Sequence, residues 1–257
     1  MDNLIKIVIA AFSGGAVWEL LKLIYPDLKK YFSDRLAAKE ILNKYLDPLL
    51  KTSDELFGKL SSLANEDFLS VNQEKGTDEE IIINKIYLFY LFSCFWARLS
   101  IIKNESNYIS LARTKKGRHL IQFMNSFEAR RNRILDRSLQ RIIGDALVRN
   151  EGQEQKIMSL SDFADQYLEE KSNLKKWIGS LDLSLKNTIN KEFRQRFLIF
   201  GILLQSFIDY FDKHHSVVRD REVYLNKMSR RTKFNLKYGL FDIYLPFIEK
   251  PEKYYHK

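Results

Sequence analysis

An apolar run at the start of the chain, Leu4 to Tyr25 ahead of Pro26, limits the folds open to this protein more than any other feature. Crossing a bilayer's hydrocarbon core takes about 20 mainly apolar residues at ~1.5 Å rise each. The uncharged centre from Ile7 to Trp18 covers only ~18 Å at that rise. A spanning helix must therefore take in Lys6 at one end and Glu19 and Lys22 at the other. Lys6 can snorkel its ammonium group to the headgroups. Glu19 and Lys22 are three apart and share a helix face, and Trp18 and Tyr25 suit the interfacial aromatic belt. Lys22, Lys29, Lys30, Arg35 and Lys39 follow the run, whereas Lys6 at its start stands near Asp2. The positive-inside rule then leaves the short N-terminus outside and the bulk of the chain in the cytoplasm. A cleaved signal peptide fits less well, because the basic leader and the small-residue cleavage site are missing. The alternatives are an interfacial helix and a buried core helix. Ser13, Gly14 and Gly15 are candidate anchor-packing residues, since small side chains let a second helix approach closely; a homo-oligomer is one expected partner.

Behind the anchor the chain reads as all-α. Only 4 prolines and 10 glycines interrupt 257 residues, which favours long helices. The 13% aromatic content implies a sizeable core. Cys94 is the single cysteine, so no internal disulfide can form, as befits a reducing compartment. The expected architecture is an N-terminal single transmembrane helix followed by a bundle of about six helices. Residues 1–26 form the anchor, 27–215 a cytoplasmic α-helical domain and 216–257 a basic aromatic C-terminal tail.

Apolar residues recur at three- and four-residue steps from Asp27 to Leu63, with Asp47-Pro48 predicting either two helices or one kinked helix. Asn65 to Glu80 is polar and reads as a loop. Ile86 to Ala97 carries no charge and six aromatic rings. It is short for a membrane span and flanked by Lys85 and Arg98, so Ile81 to Ile102 is expected to be a helix buried on all sides. Leu120 to Arg149 has helical spacing with a break near Phe127. Asn150 to Gln155 reads as a loop, Ser159 to Leu168 as a helix capped at Ser161, and Lys175 to Leu183 as a connector. Asn190 to Asp212 is a second strongly apolar helix. The two apolar helices should form the centre of the domain. Gly239 to Phe247 carries the weak strand signal of the chain.

Four runs occur in order: NKYLDPLLKTSDELFGKLSSLANEDFL (43–69), KIYLFYLFSCFWARLSII (85–102), ILDRSLQRIIGDAL (134–147) and RFLIFGILLQSFIDYFD (196–212). Their pattern resembles a family of uncharacterised bacterial proteins with an N-terminal membrane segment and a helical cytoplasmic domain. The resemblance covers roughly residues 40–215. Gln140, Arg141, Gly144 and Asp145 match its most distinctive element, and Arg98 stands where the family pattern has an acidic residue. The resemblance implies topology and carries no catalytic motif; the expected location, the bacterial inner membrane, rests on the apolar run and the charges that follow it.

Charge is segregated along the chain. Arg98 to Arg149 holds twelve basic residues against four acids, whereas 51–85 holds four lysines against eight acids. Arg130, Arg133, Arg137 and Arg141 step by three and four, which predicts one helical face able to meet phosphates or acidic headgroups, or else a solvated face paired with Asp136 and the acidic loop. Arg230, Arg231 and Lys233 belong to a second basic segment, interleaved with Tyr224, Phe234 and Tyr238; aromatic interleaving suits bases as well as a bilayer surface. Asp209, Asp212, His214 and His215 have metal-ligand chemistry but lack zinc-site spacing, so no metal and no cofactor is expected. Cys94 among aromatics reads as an inert core thiol. No phosphate loop, dinucleotide fingerprint or nucleophile elbow occurs. The expectation is a membrane-anchored, non-enzymatic interaction or sensing module whose partners are inner-membrane lipid and an unknown protein. One alternative is a membrane-perturbing effector of stress or phage defence. Another is a nucleic-acid-binding protein tethered at the membrane.

Overall fold

In the computed structural model, residues 15–72, 79–106, 108–152 and 154–256 are described. The fold is all-α, with a single two-stranded hairpin among these residues. Ser13 and Gly14 lie outside the described residues, as does most of the uncharged centre of the apolar run; Gly15 is the first residue of the first helix.

Helix α1 (Gly15–Asn65) runs for 51 residues, about 76 Å at 1.5 Å per residue. It continues through Pro26 and Pro48 as a single element, so Pro48 does not split the segment in two. An interior proline removes one helical hydrogen bond and costs about 3 kcal/mol. Around Pro48 that cost is offset by packing, because Leu49, Leu50, Ser53, Leu56 and Phe57 are all buried. Ser53 and Thr52 donate their hydroxyls back to the carbonyls of Leu49 and Pro48, at 2.7 and 2.9 Å. The buried stripe Ala38, Leu42, Leu49, Ser53, Leu56, Leu60, Leu63 keeps to steps of three, four and seven, as a helix lying on one side of a core requires.

Beyond α1 lie α2 (Leu69–Asn72) and α3 (Glu79–Glu105); part of the expected 65–80 loop is thus helical. Next are α4 (Tyr108–Ala112), α5 (Lys115–Glu128) and α6 (Arg137–Leu147). Strands β1 (Val148–Glu151) and β2 (Glu154–Ile157) pair antiparallel, with Val148 opposite Ile157, so the expected 150–155 loop is a hairpin that turns at Gly152 (φ 65°). Helices α7 (Leu160–Leu168), α8 (Asn173–Lys186), α9 (Lys191–Phe211) and α10 (Arg230–Asn235) complete the α-helices. The cap of α7 is Ser159, whose Oγ accepts from Asp162 N at 3.2 Å, and not Ser161. The 175–183 connector is part of helix α8. Gly239 to Phe247 is not extended: Leu236–Phe241 winds as a π-helical stretch and the chain then turns.

Helices α3 and α9 meet at the centre, as their lack of a polar face requires. Phe92 lies 6.1 Å from Phe197 and 5.8 Å from Phe200, and Phe95 lies 4.8 Å from Phe127. Ile81–Glu105 is long and apolar enough to cross a membrane, yet 78% of its apolar window is buried against protein. Its side chains are therefore already solvated by the core. Helix α6 crosses α3 backbone to backbone. A Cβ on Gly144 would stand 2.7 Å from the Trp96 carbonyl carbon, so only glycine permits this approach.

Residues 216–256 are part of the same core and do not form a separate tail. Tyr224, Met228, Leu236, Leu240, Phe241, Leu245 and Tyr254 are all buried in it. Arg221 clamps Asp54 of α1 with two bonds of 2.9 and 3.2 Å. Tyr224 donates to the Leu198 carbonyl at 3.1 Å in the space that Gly201 leaves open.

Candidate functional site: an exposed arm and its cationic foot

Helix α1 changes environment along its length. Residues 22–33 are exposed on every side, although they include Leu23, Ile24, Tyr25, Leu28, Tyr31 and Phe32. These twelve residues make an arm ~18 Å long that touches the body only at its foot. Leu23 is 77% exposed and Leu36 62%, values at which water would be ordered around nearly the whole side chain. Apolar side chains on all faces of one helix are normally covered by lipid or by protein.

At the foot, α1 meets α4 and the start of α5 across a cleft of about 770 Å³. Its apolar floor includes Phe32, Leu36, Leu42 and Leu46, and its rim carries Arg35, Lys39, Arg113, Lys115 and Lys116. Asp34 offsets part of this charge: it stands 3.8 Å from Arg113 and accepts from Ser110 at 3.3 Å. Arg113 also lies over the Tyr31 ring at 5.9 Å. Thr114 caps α5 by accepting from Gly117 N at 3.0 Å. Gly117 is needed there because a Cβ would meet the Leu111 carbonyl oxygen at 2.1 Å. The cleft thus joins an apolar floor to a cationic rim, the layout of the headgroup level of a bilayer.

The arginine row has a different geometry from the one its spacing predicts. Helix α5 ends at Glu128 and Ala129 is extended, so Arg130 and Arg133 lie in a turn while Arg137 and Arg141 lie on α6. There is no single helical face. Arg133 pairs with Asp136 at 2.6 Å. Arg141 donates to both carboxylate oxygens of Glu128 at 3.3 and 3.2 Å, Arg137 stands 3.7 Å away, and Lys103 bonds the same carboxylate. Burial alone would raise the Glu128 pKa, but the hydrogen bonds from Arg141 and Lys103 outweigh it and hold the carboxyl below its ordinary range. Lys103 is pulled down, first by burial and then by the repulsion of Arg141 and Arg137, against its bond to Glu128. One carboxylate shared by three cations is a structural clasp between α3, α5 and α6. The distinctive Gln140, Arg141, Gly144, Asp145 element serves the same docking: Gln140 is buried, and Asp145 accepts from Ser100 of α3.

Arg230 and Arg231 are exposed on the short α10, with Lys233 half-buried beside them. Next to them the exposed rings of Phe234 and Tyr238 pack at 4.5 Å, and Lys237 lies over Tyr238. Arg131 Nη1 lies 3.6 Å from where a Gly239 Cβ would be, so the fold brings together two basic segments a hundred residues apart. The Asp209–His215 cluster is occupied with holding the chain. Asp209 accepts from Gln205 at 2.6 Å and Tyr254 at 2.8 Å, and Asp212 accepts the backbone N–H groups of Ser216, Val217 and Val218. Those three bonds outweigh the effect of burial and lower the Asp212 pKa. Among the described residues no group of three or more His, Cys, Asp or Glu is placed to hold a metal. Burial pushes the Cys94 thiol up to about 12, the opposite of what a nucleophile needs.

Neither a family description, nor a curated protein, nor a solved structure matches this chain.

Proposed function

We propose that the protein is a membrane-anchored, non-enzymatic interaction or sensing module of the bacterial inner membrane, crossing it once through residues 1–26, with its helical bundle in the cytoplasm. The single observation that carries this reading is the arm of α1. It leaves a folded core without interruption, exposes apolar side chains all round, and ends at a foot rimmed by five cations. In water such an arm is unfavourable. In a bilayer interface its apolar residues enter the acyl boundary while Arg35, Lys39, Lys115 and Lys116 meet acidic headgroups, each worth about 1 kcal/mol near the surface.

The test is co-flotation of a chain starting at Lys22, which keeps the arm, with vesicles of phosphatidylglycerol or phosphatidylcholine. Binding to the anionic vesicles is expected, weakening with salt and roughly 10–30-fold in Lys115→Ala/Lys116→Ala. No binding to either vesicle, together with dimerisation in sedimentation, would assign the arm to a partner helix instead.

A second reading is supported by the exposed Phe234–Tyr238 pair among Arg230, Arg231, Lys233 and Lys237. Rings that stack on bases beside phosphate-binding cations would make the protein a nucleic-acid binder held at the membrane. It predicts RNA or DNA retention that falls steeply with salt and several-fold in Phe234→Ala.

A further inference from the structure

Arg98 lies near the C-terminal end of the buried part of α3, one turn beyond Cys94 and two beyond Tyr90. Its guanidinium reaches a cleft of about 580 Å³ between α1, α3 and β2, lined by Lys51, Thr52, Glu55, Tyr90, Gln155 and Lys156 among others. Two other partly buried cations are paired, Lys103 with Glu128 and Arg221 with Asp54. Arg98 forms no hydrogen bond or ion pair with any described residue, and its Nε is buried without a partner. Its nearest ionisable neighbours on α3 cannot neutralise it. Burial keeps both the Tyr90 phenol and the Cys94 thiol protonated at neutral pH. Glu55 borders the cleft without pairing to it, and Asp47 is engaged with Lys51 at 2.9 Å. On the β2 side, Gln155 Oε1 is buried and reaches no donor.

A partly desolvated guanidinium with no counter-charge is costly. Here the missing partner has room beside it. The volume suits a small metabolite. The guanidinium fork matches the two oxygens of a carboxylate or phosphate. The buried Gln155 Oε1 requires a donor, which a bare inorganic anion would not supply.

We propose that this cleft binds a small hydroxylated or amino-bearing oxyanion, a phosphate ester or a carboxylate, with its anionic group on Arg98 and its donors toward Gln155 and Glu55. For a module read above as sensing, this would be the ligand it senses. The site stands independently of the membrane reading, because none of its residues belongs to the arm or the cationic foot.

The test uses the full chain in detergent, titrated calorimetrically with glycerol 3-phosphate and with serine at constant chloride ionic strength. Three proteins are compared: wild type, Arg98→Met and Lys115→Ala/Lys116→Ala. Binding of one of the two probes is expected, weakened about tenfold or more in Arg98→Met and unchanged in the lysine variant. Without ligand, Arg98→Met should unfold at the same temperature as wild type or higher, since it removes an unpaired desolvated charge. Should Arg98→Met not fold, Arg98→Lys, which keeps the charge and loses the fork, is expected to weaken binding several-fold. Preference for glycerol 3-phosphate assigns a phosphate ester, and preference for serine a carboxylate. The proposal is overturned if neither probe binds, if Arg98→Met binds as tightly as wild type, or if the lysine variant alone loses binding.

Discussion

The two halves of α1 are the same helix in opposite surroundings. From Leu49 to Ala64 it buries a wide apolar face, pinned from outside by Arg221 on Asp54 and by Lys227 on the Asn65 carbonyl at 3.0 Å. From Lys22 to Ser33 it buries nothing, though its residues are no more polar. Composition therefore does not decide burial; the presence of a covering element does. The C-terminal half finds α3 and α9, and the N-terminal half is left exposed, reaching the body only through Tyr31 and Phe32 beside Arg113 and Thr114. The difference makes the arm the part of the protein shaped for something outside the chain.

Substitutions can break or sharpen that contrast. The largest effect belongs to the buried half. Phe57→Ala should cost about 3–5 kcal/mol of stability by chemical denaturation, whereas Phe32→Ala on the arm should change stability by less than about 0.5 kcal/mol. Equal losses would mean that the arm packs on the body. Next is the Glu128 clasp. Glu128→Gln leaves Lys103 and Arg141 without their carboxylate and should cost about 2–4 kcal/mol. Because the folded pKa of Glu128 is depressed, its contribution is complete above the ordinary carboxylate range and fades as pH falls through the folded value. The variant should accordingly lose part of the wild-type decline in stability between about pH 5 and pH 2. A smaller effect, confined to the membrane, is expected at the foot. Lys115→Ala/Lys116→Ala should weaken binding to anionic vesicles roughly 10–30-fold and leave the melting temperature unchanged. The smallest is Leu36→Ser, which should reduce vesicle binding a few-fold by removing one buried side chain from the interface.

What the sequence makes legible follows from where its signals are local. The apolar run of α9 is read correctly because its signal lies within one helix, which Asn190 caps by accepting from Glu192 N at 2.8 Å. The buried fate of α3 follows from its uninterrupted apolar surface. The arginine row misleads because three-four spacing continues across a turn that Ala129 opens, and spacing carries no record of a break. The hairpin is missed because its strands are short and polar, leaving Gly152 as the lone turn signal. The last forty residues look like a tail because their buried aromatics are interspersed with lysine and arginine, and their partners on α1 and α9 are far away in sequence. Arg98 stands out in the sequence as a charge ending an apolar run. That it lacks a counter-ion, and that Gln155 faces the same cleft, needs the packing of α1, α3 and β2.

Carbonate and detergent fractionation of the full-length protein, beside a chain starting at Asp27, tests the central claim most directly. The account predicts that the full-length protein resists carbonate and is released by detergent, while the shorter chain is soluble and folded. A full-length protein that is soluble without detergent, or a shorter chain that unfolds, would make residues 4–25 part of the core and contradict the membrane reading.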